Sequence, residues 1–409
     1  MTLDFKTGLM ALALLGSTAL GTTVAHAADQ EITWIYCGDK IDPIHEKYIK
    51  EWEGKNEGWK ISPEIVGWDQ CQDKATTLAA AGTPVAMAYV GSRTLKEFAE
   101  NDLIVSIPMT DDEKKSYYPN IVDTVTFDGT QWGAPVAFST KALYWNKDLF
   151  KQAGLDPETP PKTWAEEIAA AKAIKEKTGI AGYGLPAKTF DNTMHQFMHW
   201  VYTNNGKVID GDKIVIDSPE VLAALQAYKD ITPYSVEGAT AYEQNEMRAI
   251  FLDGKVGMIQ SSSGAAALLK KTNINWGVTT LPLGPSAKGP GTLLITDSLA
   301  VFKGSGVEDK AIEFVKFITS PGPQGEYELQ GGAGLTPLRP SPKVDEFVKA
   351  DPSWQPFIDG IFSGGPEPLF KDYKGFQNVM IEMVQSVVTG KAEPADALTK
   401  AAAALEEYK

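Results

Sequence analysis

His195 and His199 stand four residues apart, the spacing at which two imidazoles on one helix face can share a metal ion. No third ligand is spaced to complete such a site, so helix-surface or pocket histidines are the plainer reading. Ser261-Ser262-Ser263 follows an apolar run, but no G-x-S-x-G elbow and no neighbouring His or Lys motif makes any of them a nucleophile. Among 53 acids there is room for the two opposed carboxylates of a glycosidase, yet nothing selects a pair. A phosphate-cradling G-x-x-x-x-G-K-[ST] is absent, as are H-E-x-x-H and a G-x-G-x-x-G opening a helix. The expectation is a chain with no catalytic residues, no metal and no cofactor.

The polar chemistry that remains is gathered in loops that follow apolar runs. Cys37-Gly38-Asp39-Lys40, Trp68-Asp69-Gln70, Gly91-Ser92-Arg93 and the stretch from Lys188 to Asn192 are such loops. In open α/β sheets, ligands sit at the carboxyl ends of the strands. Exposed aromatics would cover the C–H-rich faces of sugar rings, while amides and carboxylates would meet the hydroxyls. A carbohydrate suits that mixture.

Those loops need elements to position them. Ile32 to Tyr36, Ile61 to Val66 and Val85 to Val90 read as strands, with helical stretches between them. Asp42 can cap the first helix with Pro43 as its first residue, and Ile44, Tyr48 and Trp52 form one apolar face. Strand–helix alternation of this spacing implies parallel strands with helical crossovers. Further along, Thr163 and Glu166 form a capping box for a helix that stops at Gly179. A helix covers Gln196 to Tyr202, others lie near 219–230 and 242–253, and Val256 to Gln260, Trp276 to Thr280 and Leu299 to Phe302 are strands. The Pro/Gly/Lys stretch from Gly284 to Gly291 marks a candidate boundary. Near the end, Phe376, Val379, Met380, Met383, Val384, Val387 and Val388 form a core-facing helical stripe.

At 409 residues the chain has room for two or three domains. Its 38 basic against 53 acidic residues give a net charge of −15, which argues against nucleic acid as a partner. Only Arg93, Arg248 and Arg339 supply a guanidinium fork, and that scarcity disfavours a strongly anionic ligand. Lys6, the apolar run Leu9 to Leu20 and Ala25-His26-Ala27 read as a cleavable secretory signal over residues 1–27. A buried amphipathic helix is the alternative. Cleavage after Ala27 leaves 409 − 27 = 382 residues, with no cysteine at the new end to take a lipid. No later segment has 18 consecutive apolar residues, so a free exported protein is expected. Cys37 and Cys71 have no other cysteine to pair with. In an oxidising compartment they can form a disulfide, worth roughly 4 kcal/mol by chain entropy, and otherwise would be buried thiols.

Five fragments in order then carry a likeness. The Cys37–Lys40 loop, Trp145-Asn146-Lys147-Asp148-Leu149-Phe150, Pro161-Lys162-Thr163-Trp164, Phe251 to Met258 and Gly334 to Arg339 each match a family segment. Together they resemble the extracytoplasmic sugar-binding proteins of ABC importers, the maltose-binding-protein family. The resemblance covers nearly the whole mature chain. It implies a two-lobed α/β fold (a type II periplasmic-binding-protein fold), each lobe a mostly parallel sheet flanked by helices, with the ligand cleft between. Lobe one would hold 28–137 and 297–336, and lobe two 141–293 and 341–409. The hinge crossings would lie near 136–140, 294–297 and 337–341.

Carried over position by position, the resemblance implies ligand contacts at Asp39, Lys40, Trp68, Asp69, Gln70, Ser92 and Arg93 in lobe one. Phe138, Ser139 and Thr140 follow from the crossing, then Asn192, His195, Gln196, Ser262, Ser263 and Phe376 from lobe two, and Arg339 from the last hinge. The family's sugar-stacking tryptophans are missing from the regions now held by Ser261 to Gly264 and by Phe376-Gln377. Maltodextrin is therefore disfavoured, in favour of a smaller or differently shaped ligand or of replacement stacking by Trp68 or Phe190. The implied function is capture of a small carbohydrate or polyol by hinge closure and delivery to a membrane permease, as a periplasmic monomer. The rivals are an exported carbohydrate-active hydrolase, or the same fold with a non-sugar or anionic-sugar ligand. Convergence of Arg339, Lys40 and Arg93 on one subsite would favour the anionic version.

Overall fold

The computed structural model describes residues 30–68, 70–211, 213–330 and 336–409. The proposed signal segment, Asp69 and part of the Gly334–Arg339 fragment lie outside the described residues.

The chain opens with β1 (Gln30–Cys37), α1 (Pro43–Lys55), β2 (Trp59–Val66), α2 (Cys71–Ala80) and β3 (Met87–Gly91). The Asp42 carboxylate accepts from the Ile44 N–H at 2.8 Å and so starts α1. The buried face of α1 is His45, Ile49 and Trp52, one step round from Ile44 and Tyr48, which are only half-buried. His45 turns inward because Tyr36 hydrogen-bonds its Nδ1 at 2.9 Å and Tyr327 stacks on its ring. Then come β4 (Ala134–Ser139), β5 (Ala142–Asn146), α3 (Trp164–Thr178), β6 (Ala181–Gly184) and α4 (Asp191–Tyr202). The Thr163–Glu166 capping box is present, and Gly179 ends α3 with φ 75°, a left-handed turn that suits glycine. The later elements that matter are α5 (Gln244–Leu252), β7 (Val256–Ser261), β8 (Trp276–Thr279), β9 (Thr292–Phe302), β10 (Gly364–Pro366) and α6 (Tyr373–Val388).

Two sheets organise two lobes. The first has the order β10-β9-β3-β1-β2, with β4 also paired to β9. In it β1 runs parallel to β2 and β3, whereas β9 is antiparallel to β3. The second has the order β8-β5-β7-β6, with β7 parallel to β6 and β5 antiparallel to β7 and β8. Both sheets are thus mixed.

The first core gathers Trp34, Met87, Phe98, Phe302 and Phe314, and the second Trp164, Phe197, Trp200, Tyr228 and Met380. The two cores draw on alternating chain segments, as a two-lobed chain with several crossings must. A smaller apolar cluster, including Tyr117, Phe138, Leu294 and Leu338, joins the crossing strands.

One expectation changes in kind. The sequence reads as a crossing near 294–297 followed by a separate strand from Leu299, but β9 is one continuous strand of 11 residues. Its N-terminal part pairs with β10 and its C-terminal part with β3. A register shift against β4 falls between Asp297 and Ser298, so the segment expected as a crossing near 294–297 coincides with a bulged strand. Among the described residues, no helix is long and apolar enough to cross a membrane.

Candidate ligand cleft

A cavity of about 350 Å³ opens where the crossing strands meet the two sheets, at the small end of the range for small-molecule sites. Trp68 comes to it from the loop after β2, Tyr89 from β3 itself and Arg93 from the turn that follows β3. Phe138, Ser139 and Lys141 come from the β4–β5 crossing, and Ile295 and Asp297 from β9. Phe190, Asp191, Asn192 and His195 come from the start of α4, with Asn245 from α5 and Ser262 and Ser263 from the end of β7. Every wall is a strand end, a helix start or a crossing, as open α/β sheets dictate.

Arg93 is the hub of the charged wall. Its Nη2 lies 3.4 Å from Asp191, and its Nη1 lies 3.4 Å from Glu367 and 3.6 Å from Asp297. Glu367 also meets His195 Nε2 at 2.6 Å and takes the Tyr373 hydroxyl at 3.0 Å. Burial alone would raise the Glu367 carboxyl; Arg93 and His195 outweigh it and hold the group down at about 2. An ionised carboxylate can only accept, so the proton of the imidazole sits on Nε2. Asp297 behaves oppositely: burial pushes it up to about 6 despite Arg93 and a 3.0 Å bond from Tyr89. Lys141 is buried and pushed down to about 8, by desolvation first and by Arg248 next.

Trp68 is the most open aromatic of the wall, 58% exposed, with its ring edge-on to Tyr89 at 5.2 Å. Such a ring can cover a sugar face. Phe190 stands half-buried at the start of α4, also on the wall. The pair Cys37–Cys71 is a disulfide, and Cys71 itself lines the cavity.

The structure brings Trp68, Arg93, Phe138, Ser139, Asn192, His195, Ser262 and Ser263 together on this cleft. It places the other expected contacts elsewhere. Asp39 and Lys40 are exposed in the bend after β1, and Gln70 is exposed just before α2. The Ser92 hydroxyl faces Ser298 at 2.7 Å, the Thr140 hydroxyl donates to the Phe357 carbonyl at 3.1 Å, and the Gln196 amide reaches the Gln260 carbonyl at 3.4 Å. Phe376 is fully buried and stacks on Phe370 at 4.2 Å, a core position. Arg339 lies flat over Tyr117 at 3.6 Å and donates to Ser116 and to the Thr319 carbonyl. Its guanidinium is committed to these partners and does not line the cavity. Arg339, Lys40 and Arg93 therefore do not converge.

The two histidines at helical spacing also part company. His199 Nδ1 accepts from the Leu293 N–H at 3.1 Å and from Thr292 at 3.0 Å, which anchors α4 to β9. Among the described residues, no group of three or more His, Cys, Asp or Glu converges as a metal site. Sequence reasoning missed Tyr89, Lys141, Asp191, Asp297 and Glu367. Only Asp191 carried a local signal, as an acid in the first turn of a helix next to an expected contact.

The profile of the bacterial extracellular solute-binding proteins matches residues 47–356. The chain belongs to that family. This solute-binding protein is 28% identical to the sn-glycerol-3-phosphate-binding periplasmic protein of Brucella suis, over 93% of this chain and 92% of that one. It is 26% identical to the diacetylchitobiose binding protein of Streptomyces coelicolor, over 91% of this chain and 88% of the relative. Among solved structures it is similar to an ABC transporter solute-binding protein from Thermotoga lettingae bound with α-D-tagatose. The TM-score is 0.81 at 25% identity, covering 92% of this chain and 99% of that one. The two-lobed fold of the solute-binding protein follows from these comparisons and from its own sheets.

Proposed function

We propose that this solute-binding protein captures a small sugar or polyol by closing its two lobes, and delivers it to the membrane permease of an ABC importer. The observation that carries the reading is the cleft: its walls come from both lobes and from the crossing strands at once. A ligand seated there gains contacts to the second lobe only on closure, so its differential affinity shifts the population toward the closed form. Hydroxyls would pair with carboxylates and amides, and a ring face would lie on Trp68. The diacetylchitobiose- and tagatose-binding relatives support this ligand class. Export to the periplasm through residues 1–27, and the lobe boundaries given above, belong to the same proposal. No carbon-centred chemistry is needed, and the relatives named are binding proteins.

The test is intrinsic tryptophan fluorescence against a panel of monosaccharides, disaccharides and polyols. Ten tryptophans, one of them on the cleft wall, report closure. A saturable change with the ligand recovered intact is the expected result. Consumption of the ligand would instead point to a hydrolase.

A further inference from the structure

The charge arrangement of the cleft bears on the ligand's own charge. Arg93, the guanidinium on the wall, has both terminal nitrogens turned to carboxylates of Asp191, Glu367 and Asp297. Its terminal nitrogens are engaged by carboxylates and its Nε is buried without a partner, so the guanidinium offers the cavity no free bidentate edge for an incoming phosphate or carboxylate. Lys141 is the other cation lining the cavity. It is only 8% exposed. Among the described residues no acid lies within ion-pair distance of its ammonium, although Asp191 and Glu243 act on it from further off. Lys40 and Arg339, which could have reinforced it, are not among the residues lining the cavity.

The wall thus sets Arg93 and Lys141 against Asp191 and Asp297, with the Glu367 carboxylate behind it on Arg93. An anionic ligand would lose its hydration in a field that is already net negative, with one uncompensated ammonium to meet it. An uncharged ligand has no such cost. Its hydroxyls donate to the carboxylate oxygens, and one of its oxygens accepts from Lys141 Nζ, a donor on the cavity wall.

We infer that the cleft selects an uncharged polyhydroxylated ligand, held by a hydrogen bond from Lys141, and rejects phosphorylated or carboxylated analogues of the same skeleton. This rests on the sugar or polyol reading above and narrows it. It separates the chain in ligand charge from the relative named for sn-glycerol-3-phosphate.

The experiment is calorimetric titration of the mature protein with matched pairs. Sorbitol is compared with sorbitol 6-phosphate, glycerol with sn-glycerol 3-phosphate, glucose with glucuronate, and a set of neutral disaccharides is added. The expected result is binding by at least one neutral compound, with any charged counterpart at least 100-fold weaker. A charged member that binds as tightly as its neutral partner overturns the charge inference and leaves the sugar or polyol reading standing. Silence across every pair and every disaccharide overturns that reading, and the inference with it. Lys141→Met then tests the donor: at least a tenfold loss of neutral-ligand affinity at unchanged melting temperature is expected. Unchanged affinity would remove Lys141 from the recognition.

Discussion

Glu167 is the side chain whose burial has least compensation. It sits in α3 with no exposure, and neither carboxylate oxygen has a hydrogen-bond partner. Desolvation is the sole cause acting on it, and it pushes the carboxyl up to about 8. The folded-state value is raised, so the group's full contribution to stability is present below the unfolded value near 4.5 and is lost as pH rises towards 8. At pH 7 the loss is on the order of 3 kcal/mol relative to pH 4. Glu167→Met keeps the volume and removes the titration. In denaturant unfolding at pH 5 and pH 8.5, the variant should gain on the parent chiefly at the higher pH. Parallel profiles would show that the carboxyl finds a partner or water.

The Cys37–Cys71 disulfide joins two elements, the end of β1 and the start of α2, and encloses a loop of 34 residues in sequence separation. On the chain-entropy account its removal costs about 4 kcal/mol. It also pins the segment that carries Trp68 to the cleft wall. The pair Cys37→Ser and Cys71→Ser should therefore lower the melting temperature and weaken the fluorescence-detected affinity. If the affinity is unchanged at a temperature where the variant is still folded, the disulfide serves the fold alone. Elements of this kind were legible because their signals are local. Asp42 and Thr163 announce their helices by capping chemistry, and the stripe from Phe376 to Val388 announces a buried face. The cleft was legible only in part. Asp297 and Glu367 reach Arg93 from positions 204 and 274 residues further along the chain, and no local pattern encodes such a meeting. The resemblance places Arg339 and Phe376 at the cleft, yet here one side chain stacks on Tyr117 and the other on Phe370. A motif can fix where the backbone passes without fixing where its side chain goes. Likewise nothing in Leu294 to Asp297 distinguishes a hinge loop from the middle of β9, because pairing with β10 and β3 decides it.

The molecule as a whole is held at the cleft by charges that bridge its parts. Arg93 follows β3 in the first sheet, while Asp191 opens α4 beside the second core. Their contact at 3.4 Å crosses the cleft, and the two side chains are 12% and 22% exposed. An ion pair of that exposure contributes about 1 kcal/mol. On the hinge closure proposed above, a pair made only when the lobes approach would bias the hinge toward closure even before a ligand arrives. Asp191→Asn removes the bias while Glu367 and Asp297 still neutralise Arg93, so the fold should survive. The ligand-free variant should then show a larger radius of gyration in solution scattering than the parent. Its affinity should fall roughly fivefold, since the ligand must supply the closing energy that the pair supplied. Asp191 also lines the cavity, so weaker binding alone would not separate a lost contact from a lost bias. The scattering of the ligand-free form does separate them. An unchanged radius with weaker binding would make Asp191 a ligand contact, and the resting position of the hinge would then be set by the crossing strands.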